Sequence, residues 1–264
     1  AMTRLRLAAV QTEPVFGEVH RNVDAALALV PDDADLVGLP ELFNTGYQFR
    51  DRDELMQLAE PADGPTATRL RDHAVATGTA LCAGFAERDG DTPYNSALLA
   101  RPDGTTELYR KTHLFWDEKL IFEPGDLGFP VFEVCGTTMG MMICFDWIFP
   151  EAARTLALRG AKVLLHPSNL VLDLCPDAMV TRCVENRVFA LTANRVGTEA
   201  RKDGQSLTFS GLSQVCGPMG KVLVRMGATG EGVVSADVDL SDADRQLTPR
   251  NELWEDRRPE FYDR

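Results

Sequence analysis

Short apolar runs alternate with helical patterns over most of the chain, and this alternation limits the fold more than any other feature. Strand-like runs fall at 5–11, 35–40, 79–85, 94–100, 107–109, 131–134, 138–143, 162–166 and 191–195. Helical periodicity covers 22–30, Pro65 to about Thr77, Pro150 to Arg159 and about 177–190, with prolines opening two of these segments. From Leu207 to Val238 short β segments are joined by Gly-rich turns such as Gly217-Pro218-Met219-Gly220. Crossover units and hairpins therefore mix without a Pro/Ser-rich linker. That pattern predicts one α/β domain over residues 1–264, with mixed sheets covered by helices. The tail, 249–264, is charged and carries Trp254, Phe261 and Tyr262, aromatics spaced to anchor it on another subunit.

With 264 residues, 44% of them apolar, the chain can bury a large core. Its 40 acidic and 27 basic residues give a net charge of −13, which argues against nucleic acid and anionic membranes as partners and favours small solutes or proteins. No run reaches the ~18 apolar residues of a membrane span. The most hydrophobic window, Thr138 to Phe149, is broken by Asp146. The N-terminus lacks the apolar core of a secretory signal, and Ala1 ahead of Met2 reads as an added residue. Six cysteines without CxxC spacing read as free thiols in a reducing cytoplasm. They and the four histidines show no metal-ligand spacing, so neither a metal nor a cofactor is expected.

Three residues invite chemistry. Cys144 ends the apolar stretch Met139-Gly140-Met141-Met142-Ile143 and precedes a helix announced by Pro150-Glu151, a place where rigid backbone can display a nucleophile. A buried Cys filling space is the alternative. Glu41 directly follows the buried strand ending Leu39-Pro40, where burial suits a carboxyl to proton transfer, although a helix-capping acid fits equally well. Lys111 is one of only five lysines in a chain that otherwise uses Arg, and an ammonium can act as a point charge beside a thiolate or oxyanion. Spacing leaves open a Cys144 dyad with His113 or His166. Arg182, Glu185 and Arg187 read as a structural ion-pair network, and Asn194-Arg195 as scaffold.

Three segments in order, Pro40-Glu41-Leu42-Phe43, Tyr109-Arg110-Lys111-Thr112-His113-Leu114-Phe115 and Ile143-Cys144-Phe145-Asp146-Trp147-Ile148-Phe149-Pro150-Glu151, resemble the Glu, Lys and Cys motifs of the nitrilase (carbon–nitrogen hydrolase) superfamily. The resemblance runs end to end, through Phe122-Glu123-Pro124-Gly125-Asp126 and His166-Pro167-Ser168-Asn169 to Asp256-Arg257-Arg258-Pro259-Glu260. It implies a four-layer α-β-β-α sandwich, α/β in class, whose protomers pair into a dimer. It also implies a fourth acid, placed at Glu118 with Asp117 adjacent. By that resemblance Glu41 is the base, Cys144 the nucleophile, and Lys111 with the Phe145 backbone N–H the oxyanion site. Tyr47, Phe115, Trp116, Trp147, Asn169 and Leu170 lie in or beside the motifs and are expected to line the pocket. None of them is basic, although Arg182 or Arg201 could reach in from a loop, so a small neutral aliphatic amide is the first expectation. Nitriles, N-carbamoyl compounds and ω-amides are the alternatives within the superfamily, and a catalytically inactive binding scaffold is the alternative outside it.

Overall fold

The computed structural model describes residues 4–262; Ala1, Met2 and Thr3, and the last two residues of the tail, lie outside the described residues. The first half builds one six-stranded sheet. Strands β1 (Arg4–Gln11) and β2 (Leu36–Gly38) lie parallel, joined over helix α1 (Val19–Ala28). Helices α2 (Arg52–Leu58) and α3 (Pro65–Thr77) then lead to the antiparallel run β3 (Ala80–Asp89), β4 (Thr92–Ala100) and β5 (Thr106–Arg110). Asp51 caps α2 by accepting from the Glu54 N–H, and α3 runs from Pro65 to a left-handed Gly78. The short helix α4 (Glu118–Ile121) closes this half.

The second sheet starts from the hairpin β6 (Val131–Val134) and β7 (Thr137–Met141) and continues through α5 (Pro150–Leu158), β8 (Val163–Pro167), α6 (Cys175–Asn186) and β9 (Phe189–Ala193). Next come the two-stranded hairpin β10 (Thr198–Lys202) and β11 (Gln205–Thr208), and then β12 (Gln214–Cys216) and β13 (Val222–Arg225). Strand β14 (Gly232–Asp239) returns to pair antiparallel with β1, and β15 (Gln246–Thr248) with β16 (Asn251–Glu252) begins the tail. The strand orders are β14-β1-β2-β3-β4-β5 and β13-β12-β9-β8-β7-β6.

The period of two along each strand divides the core. Leu5, Leu7 and Ala9 of β1, Ala80 and Cys82 of β3, and Ala97 and Leu99 of β4 pack toward Met139, Met141, Val163 and Leu165 of the other sheet. Their alternates Ala8, Val10, Leu81, Ala83 and Leu98 pack on Val23, Ala26, Ala67, Leu70 and Ala74 of α1 and α3. Helices α5 and α6 cover the second sheet with Ala153, Leu156, Met179 and Cys183. The layers run helix, sheet, sheet, helix, as the four-layer expectation has it.

Several boundaries differ from the sequence reading. The strand expected to reach Ile143 ends at Met141, because the Ile143 N–H turns to the Asp146 carboxylate at 2.9 Å and a 3-10 helix spans Cys144–Ile148. Helix α6 ends at Asn186 instead of running to about 190, since Arg187 adopts a left-handed φ of 53° and β9 starts at Phe189. In the tail, Trp254 packs against its own core under the Arg154 guanidinium at 4.8 Å, whereas Phe261 and Tyr262 are exposed. Arg182 pairs with Glu185 at 2.8 Å, but Arg187 finds no acid among the described residues and bonds the carbonyls of Asp244, Pro218 and Asp242. All six cysteines are free, and no helix among the described residues is long and apolar enough to cross a membrane.

Two glycines fix the backbone that carries the motif residues. A Cβ on Gly84 of β3 would stand 2.5 Å from the Cα of Glu41, and one on Gly125 would stand 2.0 Å from the Arg110 carbonyl oxygen. Gly90 instead sits in open space with φ of 59°. We expect Gly84→Ala to cost about 2–3 kcal/mol of stability through overpacking against backbone, and Gly90→Ala only about 1 kcal/mol. Denaturant midpoints compare the two, and equal losses would mean that the loop after β2 yields freely.

Candidate active site

Four side chains meet in a buried pocket at one end of the sandwich. Glu41 follows β2, where the bonds Gly84 N–H to Pro40 O (3.0 Å) and Phe43 N–H to Gly84 O (3.1 Å) hold its backbone to β3. Lys111 follows β5, with its N–H given to Asn95 O at 2.7 Å and its carbonyl taken by the Gly125 N–H at 2.8 Å. Glu118 opens α4 and accepts from the Phe115 N–H at 2.7 Å. The Lys111 ammonium lies between the carboxylates, 2.7 Å from Glu41 Oε1 and 2.8 Å from Glu118 Oε1, and all three groups are buried. Asn95 Nδ2 donates to the same two oxygens at 2.6 and 2.7 Å.

Cys144 faces this cluster from the second sheet. It adopts φ of 41° at the start of the 3-10 helix, a conformation that L-residues rarely hold. Leu42 and Trp116, which flank Glu41 and Glu118 in the chain, share it with φ of 48° and 47°. The turn is held by Asp146, a fully buried carboxylate that accepts from the Ile143 N–H (2.9 Å), the Tyr109 hydroxyl (2.7 Å) and His113 Nδ1 (2.7 Å). His166 Nε2 is 2.9 Å from the Cys144 carbonyl, which can only accept, so this nitrogen carries the proton and Nδ1 receives the Thr192 hydroxyl. Both histidines thus spend a ring nitrogen on the turn that displays Cys144, and His113 also stacks on Phe149 at 3.7 Å. The Phe145 N–H belongs to the first turn of the 3-10 helix, where amides lack partners within the helix.

The electrostatics follow from burial. Burial pushes the Cys144 thiol well above its usual pKa and the charge of Glu41 adds to this, while Lys111 and the backbone N–H of Asn169 pull the other way. The resting thiol is therefore neutral. Burial works against the Lys111 ammonium, but Glu118 and Glu41 outweigh it and hold its pKa above the ordinary lysine value. Glu118 is pushed up to about 7 by burial and by Glu41, against the pull of Lys111. Burial, with the charges of Glu118 and Glu41, raises the Tyr47 phenol well above its usual value.

Two spaces adjoin the cluster. A cavity of about 240 Å³ is lined by Tyr47, Gln48, Phe115, Trp116, Glu118, Ile121, Lys202 and the 204–207 turn and strand. A crevice of about 10 Å³ lies against Cys144 between Phe115, Phe145, Trp147, Asn169 and Leu170. The six residues expected in the pocket divide between them, Tyr47 and Trp116 in the first, Trp147, Asn169 and Leu170 in the second, and Phe115 in both. Trp116 is 62% exposed and forms a rim. Asp117 stands apart from Glu118 and pairs with Lys202 at 3.0 Å, which puts a basic side chain on the cavity wall that the sequence reading did not name. Arg182 and Arg201 stay outside both spaces, Arg201 being tied to Glu54 at 2.7 Å.

Sequence reasoning missed Asn95 and Glu199. Asn95 was a polar residue inside an apolar strand, which is a usable signal. Buried Glu199 accepts from the Tyr47 and Gln48 N–H groups (3.1 and 2.6 Å) and pairs with Arg195, pinning the loop that presents Tyr47. No pattern in the sequence marks that pairing. Among the described residues no three His, Cys, Asp or Glu side chains converge to hold a metal.

A family model described as carbon-nitrogen hydrolase matches residues 6–246. A protein named nitrilase from Pyrococcus abyssi is 45% identical over 98% of this chain and 99% of its own length. Among solved structures, a carbon-nitrogen hydrolase from Helicobacter pylori G27 superposes with a TM-score of 0.90 at 26% identity, covering 98% of this chain and 97% of that one. An amidase from Nesterenkonia sp. gives 0.82 at 29% identity, over 97% and 94%. With the matched residues spanning both sheets and every residue of the buried cluster, the chain belongs to the carbon–nitrogen hydrolase family of the nitrilase superfamily.

Proposed function

We propose that this hydrolase cleaves the C–N bond of small aliphatic amides to a carboxylic acid and ammonia through a thioester on Cys144. The observation that carries the reading is the buried ammonium of Lys111 shared by two carboxylates, opposite the buried thiol of Cys144. A thiol raised by burial does not ionise unaided, so a base must remove its proton during attack. Glu41 takes that role, and its charge acts on the thiol more strongly than that of Glu118.

As the proton moves from Sγ to Glu41, sulfur bonds to the amide carbon and the carbonyl oxygen gains negative charge. Lys111 and the Phe145 N–H stabilise that oxygen, a kind of contact worth about 3–4 kcal/mol. Collapse breaks the C–N bond, and Glu41 returns the proton to nitrogen as ammonia leaves. Water then gives a proton to Glu41 while its oxygen attacks the thioester. The second intermediate expels sulfur, which regains the proton, and the acid departs. Glu118, held by Lys111 and Asn95, orients the amide nitrogen and keeps Glu41 and the water in line.

The wall formed by Tyr47, Phe115, Trp116, Ile121 and Leu207 suits an uncharged acyl chain, and the cavity has room for several carbons. Lys202 is tied to Asp117 at 3.0 Å, which leaves no free cation there to demand an anionic substrate. The Nesterenkonia relative is named an amidase. A nitrile substrate is the second reading, favoured by the name of the Pyrococcus relative.

Ammonia release from acetamide and propionamide, from the matching nitriles and from N-carbamoyl amino acids separates these readings, and turnover of the carbamoyl compounds alone would sink the amide assignment. Cys144→Ala should lower amide turnover by at least about 10³-fold and abolish the acyl adduct seen by mass spectrometry. Glu41→Gln should cost about 10²–10⁴-fold, and His113→Ala at most about tenfold; the reverse order would move the base to an imidazole. Glu118, at about 7 in the folded protein against 4.5 when unfolded, keeps a proton that the unfolded chain loses. Its contribution to stability is therefore present below pH 4.5 and lost as pH rises through about 7. Relative to wild type, Glu118→Gln should gain stability across that interval in denaturant titrations, and parallel pH profiles would contradict the assignment.

A further inference from the structure

Asn169 is 3% exposed, and neither its Nδ2 nor its Oδ1 has a partner in the protein. Buried polar atoms without partners are uncommon, and one side chain with both a donor and an acceptor unmet is a strong pointer to a ligand. Its place in the fold says which part of a ligand it meets. The residue follows β8 in the segment His166-Pro167-Ser168-Asn169, and its own backbone N–H acts on the Cys144 thiol. The Leu170 N–H is given to Asn194 Oδ1 at 2.9 Å and the Ser168 N–H to Ala193 O at 2.8 Å, so the backbone on both sides is fixed. The crevice it lines with Cys144, Trp147 and Leu170 measures about 10 Å³, enough for a single small group.

We infer that Asn169 is a specificity determinant that selects amides bearing a hydroxyl group on the carbon next to the scissile carbonyl. This rests on the amide reading given above. When Sγ bonds to the carbonyl carbon, the oxygen goes to Lys111 and the Phe145 N–H and the nitrogen goes to the side of Glu41 and Glu118. The nearest remaining atoms are the substituents of the α-carbon. The longer branch of the acyl chain follows Phe115, which borders both spaces, into the 240 Å³ cavity. The one-atom branch enters the crevice. A hydroxyl both donates and accepts, and so meets both atoms of the Asn169 amide; a hydrogen or methyl leaves them unmet, and a protonated amine has no lone pair for Nδ2. A site whose buried polar groups are satisfied only by one substrate rejects its apolar analogue.

The test is the ratio of kcat/KM for 2-hydroxypropionamide to that for propionamide, measured by ammonia release. The wild-type ratio should be about tenfold or more, and in Asn169→Leu it should fall to about one. Because each protein supplies its own propionamide reference, a general loss of activity does not alter the readout. If the leucine variant is insoluble, Asn169→Ala gives the same ratio, and the wild-type ratio stands without any variant. A wild-type ratio near one, or a preference that survives both substitutions, overturns the inference. If neither amide is hydrolysed but nitriles are, the amide reading fails by itself, and the ratio for 2-hydroxypropionitrile over propionitrile, read as ammonia, decides the role of Asn169.

Discussion

One ammonium between two carboxylates, sealed from water, is the interaction on which the rest of the site depends. Formal charge there is negative by one when both acids ionise, and burial makes such an imbalance expensive. The structure responds by keeping donors close: Lys111 and Asn95 both reach Glu41 Oε1 and Glu118 Oε1, and the Phe115 N–H reaches the other Glu118 oxygen. A carboxyl held near neutrality is the remaining response, which is why Glu118 holds a proton so far above the ordinary carboxylate range. The lysine cannot be exchanged for the arginine that this chain prefers elsewhere. A guanidinium spreads its donors over a planar fork, whereas the ammonium sets a single nitrogen within 2.7 and 2.8 Å of both carboxylates.

The sheets serve this cluster by close backbone approach. Gly84 lets the turn after β2 lie against β3, and Gly125 lets the chain after α4 press on the Arg110–Lys111 backbone. Leu42 in the Glu motif, Cys144 in the Cys motif and Trp116 directly after the Lys motif also hold positive φ. Strain of this kind persists only where surrounding bonds over-determine the conformation. For Cys144 those bonds are the Asp146 carboxylate with its donors and the His166 ring on the carbonyl. The two histidines whose spacing left them open as partners of Cys144 each spend a ring nitrogen on this turn.

The alternating strands and helices were legible because period-two burial is written in β1, β3 and β4, whose odd and even residues separate into two cores. Pro65 and Gly78 marked the ends of α3 for local reasons that a sequence displays. The end of α6 was not legible, since Arg187 is an unusual left-handed cap held by carbonyls from distant segments. Glu41, Lys111 and Cys144 were found by their motifs. Their supporting groups were less visible, because Asn95, Glu199 and Lys202 gain meaning only from contacts with residues far away in sequence. Lys202 in particular looked like any surface charge.

Glu41, Lys111, Asn95 and Glu118 all belong to the first sheet and its connections, and Cys144 to the second. During synthesis the acid–ammonium cluster is complete in sequence before the thiol has left the ribosome. A chain with only the first sheet formed thus carries the acid–ammonium cluster without the thiol that faces it, and one with an undocked second sheet leaves that thiol in water, free of the burial that raises its pKa. The thiol and the ion cluster meet only where the two sheets pack on each other. The pocket is in this sense a product of the packing between the sheets, and neither sheet alone contains it.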